Sequence, residues 1–180
     1  SFNNLEELLV QMGVKSYASM EQTHSNEIAH VIKSGTYKSD GIFTSNKNLG
    51  LVVKTADCMP IFLKDKISIG AVHVGWKGVK NKIINNALKN FKLNELLMSV
   101  GPHAQSCCYE VKEDVSKYLY KYIDKRDGKE YLNMSQSLLD LSYKIGFNIE
   151  VSSICTICSS SYNSYRENKT SKRQYGFIWL

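Results

Sequence analysis

Four histidines and five cysteines carry most of the chemistry open to this 180-residue sequence. His24 stands in Gln-Thr-His-Ser, Cys58 in Thr-Ala-Asp-Cys-Met-Pro and His73 in Ala-Val-His-Val-Gly-Trp-Lys-Gly, each where a strand-like run breaks. Groups carried on rigid elements often gather at one sheet edge, so three strand-end residues can converge there. Two imidazoles and a thiolate are a competent set for Zn²⁺, with a fourth position left for water or substrate. A Zn²⁺ site of that kind lowers the pKa of a bound water to roughly 7. The spacing alone is non-specific. His24 and His73 read equally well as satisfied structural histidines, and Cys58 as a core residue.

The other candidates read more plainly. His30 lies inside a short strand and is assigned to structure, while His103 follows Gly101-Pro102 in a loop, where a histidine is usually solvated. An odd cysteine count without a secretory segment argues against a disulfide framework. Cys155 and Cys158 form a Cys-x-x-Cys pair, but a structural zinc site wants a second pair, and the Cys107–Cys108 doublet has the wrong spacing for one. Cys158 is therefore read as an ordinary small hydrophobe.

The elements that must position these residues follow from composition and periodicity. Such a chain, 43% hydrophobic and 22% charged, buries roughly 70% of its unfolded surface. It reads as one domain over residues 1–180. No apolar run approaches the ~20 residues of a membrane span, so a cytoplasmic protein without a membrane partner is expected. The net charge of +6 suits an anionic small molecule or phosphate. No nucleic-acid-reading motif accompanies it, so nucleic acid is not an expected partner.

Leu5, Leu8, Leu9 and Met12 recur at helical spacing behind Asn3 or Asn4 as cap. Short β-type runs follow at 16–23, 27–32, 41–44, 51–54, 61–64 and 67–74, with Asp65-Lys66 as a tight connection. The period turns helical from Val79 to Phe91, and again over Lys112–Ile123 and Met134–Ile145, where Gly146 is a stop. Strands are expected at 96–100, 149–155 and 175–180. Consecutive early strands favour an α+β fold of mixed-sheet α/β layers over a doubly wound one. Neither Gly-x-Gly-x-x-Gly nor a phosphate loop is present.

Three blocks together add a resemblance: Gln22-Thr23-His24, Thr55-Ala56-Asp57-Cys58-Met59-Pro60 and His73-Val74-Gly75-Trp76-Lys77-Gly78. Gly101-Pro102, Cys108-Tyr109-Glu110-Val111, Cys155-Thr156, Ser164-Tyr165-Arg166 and Ile178-Trp179-Leu180 follow in order. In this combination, from about residue 20 onward, the chain resembles the YfiH-like, or laccase-domain, proteins. Members of that family were first called multicopper polyphenol oxidases and later assigned as purine nucleoside phosphorylases with adenosine deaminase activity. The resemblance implies a layered fold likened to the catalytic domain of cytotoxic necrotizing factor. It also implies Zn²⁺ held by His24, Cys58 and His73, and phosphorolysis of inosine, adenosine and methylthioadenosine, with adenosine deamination at the same site. Longer members carry a further N-terminal segment before the region that begins here. The family's Trp-Arg-Gly is Trp76-Lys77-Gly78 in this sequence, which keeps the charge and gives up a bidentate fork.

Phosphorolysis needs a phosphate held beneath the ribose C1′, for which Lys77, Arg166 and Arg173 are the cationic candidates. Asp57, beside Cys58, is a candidate to orient a ligand or carry a proton, or simply to cap a turn. Trp76 reads as packing, Glu110 as a surface residue. Three rivals remain. A copper oxidoreductase would hold Cu²⁺ with His24, Cys58 and His73 and a weak Met59, although a continuing strand would point Met59 away. A metal-free cysteine hydrolase would use Cys58 as nucleophile and His73 as base. A non-enzymatic module would bind through its basic surface. The oligomeric state is open, since no heptad seam is visible.

Overall fold

A computed structural model describes residues 5–180, so the expected cap at Asn3 or Asn4 lies outside the described residues. Helix α1 (Leu5–Gln11) buries Leu9. Five short strands follow: β1 (Tyr17–Met20), β2 (Ile28–His30), β3 (Gly35–Tyr37), β4 (Gly41–Thr44) and β5 (Gly50–Thr55). β6 (Met59–Lys64) and β7 (Ile69–Val74) then form a hairpin. Its turn is closed by Asp65, whose carboxylate accepts the N–H groups of Ile67 and Ser68 at 2.8 and 2.7 Å.

The single helix expected from Val79 to Phe91 is instead two short ones, α2 (Trp76–Lys80) and α3 (Ile83–Leu88). The break falls at Lys82, in the left-handed region with φ of 55°. It re-aims the chain so that Ile83, Ile84, Ala87 and Leu88 all enter the core. Next come β8 (Leu97–Val100), β9 (Glu110–Val111) and α4 (Glu113–Leu119). The last of these passes into a 3₁₀ turn at Tyr120–Tyr122, which ends the helix expected to reach residue 123. β10 (Ile123–Arg126), β11 (Lys129–Leu132), α5 (Met134–Ile145), β12 (Asn148–Val151), α6 (Tyr165–Asn168) and β13 (Gln174–Ile178) complete the chain. α5 stops at Gly146, whose φ of 90° suits glycine.

Two mixed sheets dominate. The larger has the order β12-β8-β6-β7-β4-β2, the smaller β13-β5-β1-β3, and a separate antiparallel sheet joins β10, β11 and β9. Strand alternation sorts the side chains into layers. Met59, Ile61 and Leu63 on β6, with Val72 and Val74 on β7, face the helices in the largest core cluster. Ala71 on β7 and Phe62 on β6 face the other way and meet Ala18, Met20, Leu51 and Val53 of the smaller sheet. Val52 points outward, against Leu9 and Val14 beneath α1. The α+β layering expected from the sequence is therefore the architecture observed.

This arrangement matters for the site. Residues 56–58 carry the chain from β5 of the smaller sheet to β6 of the larger, and residues 21–27 make the same passage from β1 to β2.

Candidate metal centre and pocket

His24, Cys58 and His73 do converge, at the seam between the two sheets. Their ligand atoms all lie within 4.8 Å of one another, and Cys58 Sγ is 3.8 Å from His24 Nε2. Tetrahedral zinc, with bonds of about 2.3 Å to sulfur and about 2.0 Å to nitrogen, sets ligand pairs of this kind about 3.5 Å apart. The donor set thus fits a zinc ion with little movement. Gly75 makes room for it: a Cβ there would lie 2.9 Å from Cys58 Sγ and 3.2 Å from His24 Cδ2.

The residue that organises this cradle was not singled out in the sequence. Asp40, fully buried just before β4, pairs with His73 Nδ1 through its Oδ1 at 2.8 Å. With Nδ1 so engaged, the Nε2 of a neutral His73 is the free ligand, as in carboxylate–histidine–metal arrangements. The same carboxylate accepts the backbone N–H of Thr23 at 3.1 Å, of His24 at 3.0 Å and of Ser25 at 2.6 Å, and the Ser25 hydroxyl at 2.7 Å. One side chain therefore sets both histidines, including His24 in its left-handed conformation at φ 60°.

Burial would by itself raise the Asp40 carboxyl, but the bonds from His73, Ser25 and Thr23 outweigh it and hold the group well below the usual carboxylate range. His73 moves the other way. Burial opposes its charge, yet Asp40 and Cys58 raise it to about 9. Cys58 is brought down to about 7, because the two histidines overcome the burial that would raise it. Both shifts favour a thiolate beside an imidazolium in the metal-free site, and a cation would replace the proton on His73.

Above the cradle lies a pocket of about 540 Å³, whose walls include Lys54, Trp76, Tyr109, Arg166 and Arg173 besides the three ligand residues and Asp57. Arg166 lies over the Tyr109 ring, 4.8 Å from its centroid, and donates to the Glu110 carbonyl at 3.0 Å. Arg173 donates to the carbonyls of Thr170 and Lys172 at 3.0 and 2.8 Å. The structure does not bring Lys77 into this lining. It is exposed, with its ammonium 5.8 Å from the Trp76 ring. Lys54, near the end of β5, is the wall cation that the sequence did not signal.

Asp57 has φ of 87° and is buried. Thr156 Oγ1 donates to its Oδ1 at 2.8 Å and the Arg166 N–H to its Oδ2 at 2.7 Å. Both oxygens are thus engaged in tying the Cys58 turn to distant loops, and neither binds a ligand imidazole. Met59 belongs to the main core, so the strand does turn it away from Cys58. His30 stacks on Phe43 at 4.8 Å. His103, expected to be solvated, is fully buried and pairs through Nδ1 with the Gly101 carbonyl at 2.9 Å. The Cys107–Cys108 doublet and the Cys155/Cys158 pair, separate in the sequence reading, are brought together by the fold.

The layered fold is shared with known structures. It superimposes on YlmD from Geobacillus stearothermophilus with a TM-score of 0.88, at 22% identity, over 97% of this chain and 77% of the other. The hypothetical protein YfiH of Bacillus licheniformis gives 0.87 at 24% identity, over 97% and 79%. The chain belongs to the family described as multi-copper polyphenol oxidoreductase laccase, whose model matches residues 2–180. That match begins well before the first block recognised in the sequence. Two relatives are each called purine nucleoside phosphorylase. The one from Aquifex aeolicus is 35% identical over 158 residues, covering 84% of this chain and 77% of its own. The one from Borreliella burgdorferi is also 35% identical over 158 residues, covering 79% and 69%.

Proposed function

We propose that this chain is a zinc-dependent purine nucleoside phosphorylase that also deaminates adenosine. The observation that carries the reading is the placement of the His24–Cys58–His73 cradle in one pocket with Lys54, Arg166 and Arg173. A nucleoside and a phosphate need such a combination, and two relatives that this chain largely spans bear the phosphorylase name. When bound by His24, Cys58 and His73, zinc supplies a Lewis acid at the pocket wall.

The chain's own residues do the rest. Lys54, Arg166 and Arg173 hold the phosphate dianion by charge-assisted hydrogen bonds. Trp76 offers the apolar wall beside which a purine ring packs. Tyr109, whose phenol burial and the nearby Cys58 raise to about 12, stays protonated and can donate to the substrate. Asp57 acts indirectly, holding the Arg166 backbone and the Cys58 turn in fixed relation. In phosphorolysis a phosphate oxygen bonds to C1′, the glycosidic bond to N9 breaks, and the purine leaves with a proton. In deamination water adds at C6 and ammonia leaves.

Product analysis of the zinc-loaded protein with adenosine tests this, with and without phosphate, beside Cys58→Ala. Adenine formed only with phosphate supports phosphorolysis, and inosine supports deamination, provided that both vanish in the variant. Neither product from stoichiometrically zinc-loaded protein overturns the proposal. The Cys58 thiolate beside a protonated His73 favours one second reading, a metal-free cysteine hydrolase. That reading predicts amide hydrolysis that zinc abolishes.

A further inference from the structure

A second cluster of soft ligands lies on the far side of the pocket wall and takes no part in the reading above. The loop after β8 carries Cys107 and Cys108, and the loop after β12 carries Cys155 and Cys158. A parallel bridge joins them at His103 and Cys155. Around it, Thr156 N–H donates to the His103 carbonyl at 3.1 Å and Gln105 Nε2 to the Ser152 carbonyl at 2.8 Å. The four sulfurs all lie within 4.8 Å of one another, and those of Cys107 and Cys158 are 3.9 Å apart.

We infer that Cys107, Cys108, Cys155 and Cys158 form a second, structural zinc site. Four sulfurs at about 2.3 Å from a tetrahedral ion stand about 3.8 Å apart, and the observed cage needs only a small contraction to reach that geometry. A polynuclear iron–sulfur cluster would have to fit inside the cage and would hold the cysteine sulfurs farther apart. A disulfide needs sulfurs at about 2.05 Å, well inside the 3.9 Å of Cys107 and Cys158. The surroundings of Cys155 suit a thiolate: the Gln105 N–H donates to its Sγ at 3.5 Å, and the N–H groups of Ile157 and Cys158 also point at that sulfur.

Four thiolates close the coordination sphere, so this ion would be structural rather than catalytic. Its effect would reach the pocket through its neighbours in the chain. Tyr109 follows Cys108, and Thr156, which bonds Asp57, follows Cys155. Ala104 N–H also donates to the Asp57 carbonyl at 2.8 Å. The ion would thus rivet together the two loops that brace Asp57, Tyr109 and Arg166.

The test is elemental analysis of the reduced, full-length protein after exposure to zinc alone and desalting. Two zinc per chain are expected in the wild type and one in Cys58→Ala. A Cys107→Ser/Cys158→Ser double variant should also hold one. Cobalt loaded into Cys58→Ala should give intense thiolate-to-cobalt charge-transfer bands, lost when Cys107→Ser and Cys158→Ser are added to that variant. The Cys58→Ala measurements decide the matter even where the double variant fails to fold, since they leave all four cysteines in place. Cys58→Ala holding no zinc overturns the proposal. So does iron in that variant, or fewer than five free thiols in the unreduced, denatured wild type.

Discussion

Replacing Asp40 with Asn separates the organiser of the metal cradle from the ligands themselves. The Asp40 carboxylate faces donors on both sides: His73 Nδ1 and the His24 N–H at Oδ1, and the Thr23 and Ser25 N–H groups at Oδ2. Asparagine must place its NH₂ on one side or the other, setting donor against donor for at least two of these groups, of which only the His73 ring is buried. At about 1–3 kcal/mol for each stranded partner, the metal-free fold should lose about 2–6 kcal/mol. A supporting carboxylate of this kind is also worth about 10–100-fold in metal affinity. Proton competition makes that factor pH-dependent. In the wild type Asp40 helps to raise His73 to about 9, so at pH 7 zinc must displace a proton that the variant holds less firmly. The affinity gap should therefore be widest at pH 9 and narrower at pH 7. Urea unfolding in the presence of chelator gives the stability term, and competition against a chromophoric chelator at both pH values gives the affinity. An Asp40→Asn protein with wild-type zinc affinity at pH 9 and a stability change below about 0.5 kcal/mol would refute the reasoning.

Three further outcomes are expected. In the metal-free protein, alkylation of Cys58 should follow a midpoint near pH 7, below an ordinary thiol, and stoichiometric zinc should suppress it; mass spectrometry of the labelled peptide against pH reads both. Because the His73 pKa is raised to about 9, zinc binding between pH 7 and 9 should release one proton from that residue, so affinity should rise about tenfold per pH unit there and level off above, as calorimetry in buffers of different ionisation enthalpy would show. Gly75→Ala puts a Cβ 2.9 Å from Cys58 Sγ and should weaken zinc at least tenfold while destabilising the fold by about 1–3 kcal/mol, whereas Leu63→Ala, which empties a fully buried site, should lower stability by about 2–5 kcal/mol in denaturant titrations and leave the metal affinity of the remaining folded protein alone.

Much of this fold is legible in local patterns. Gly41–Thr44 and Met134–Ile145 coincide with the expected strand and helix: the first is a short β-type run bounded by turn residues and almost wholly buried, and the second buries Met134, Leu138 and Ser142 at helical spacing. The hairpin of β10 and β11 escaped, although Asp127-Gly128 at its tip has the two left-handed residues of a type I′ turn. β10 is charged and largely exposed, and β11 fully buries only Leu132, so the pair carries no alternating hydrophobic signal. The candidate site divides in the same way. His24, Cys58 and His73 stand in recognisable blocks, whereas Asp40 and Lys54 are ordinary residue types whose importance comes only from which strands are neighbours. The four-cysteine cluster failed for a similar reason. A doublet and a pair some fifty residues apart have no common spacing rule until two parallel strands, β8 and β12, set their loops side by side.

The seam location of the His–Cys–His cradle has a mechanical consequence. His73 belongs to one sheet, Cys58 sits on a crossing between sheets, and His24 follows a strand of the other. An ion held by all three is a weld across the slip plane of the molecule, and any sliding of one sheet over the other would shear its coordination sphere. Ligand occupancy is then felt by the whole body: free metal at a thousand times its dissociation constant adds about 4.1 kcal/mol to the resistance to unfolding. The converse also holds. A substitution deep between the layers, at Ala71 or Leu51, that shifts the registry of the sheets will register first as a change in metal affinity, which makes the cradle a strain gauge for a core it does not touch.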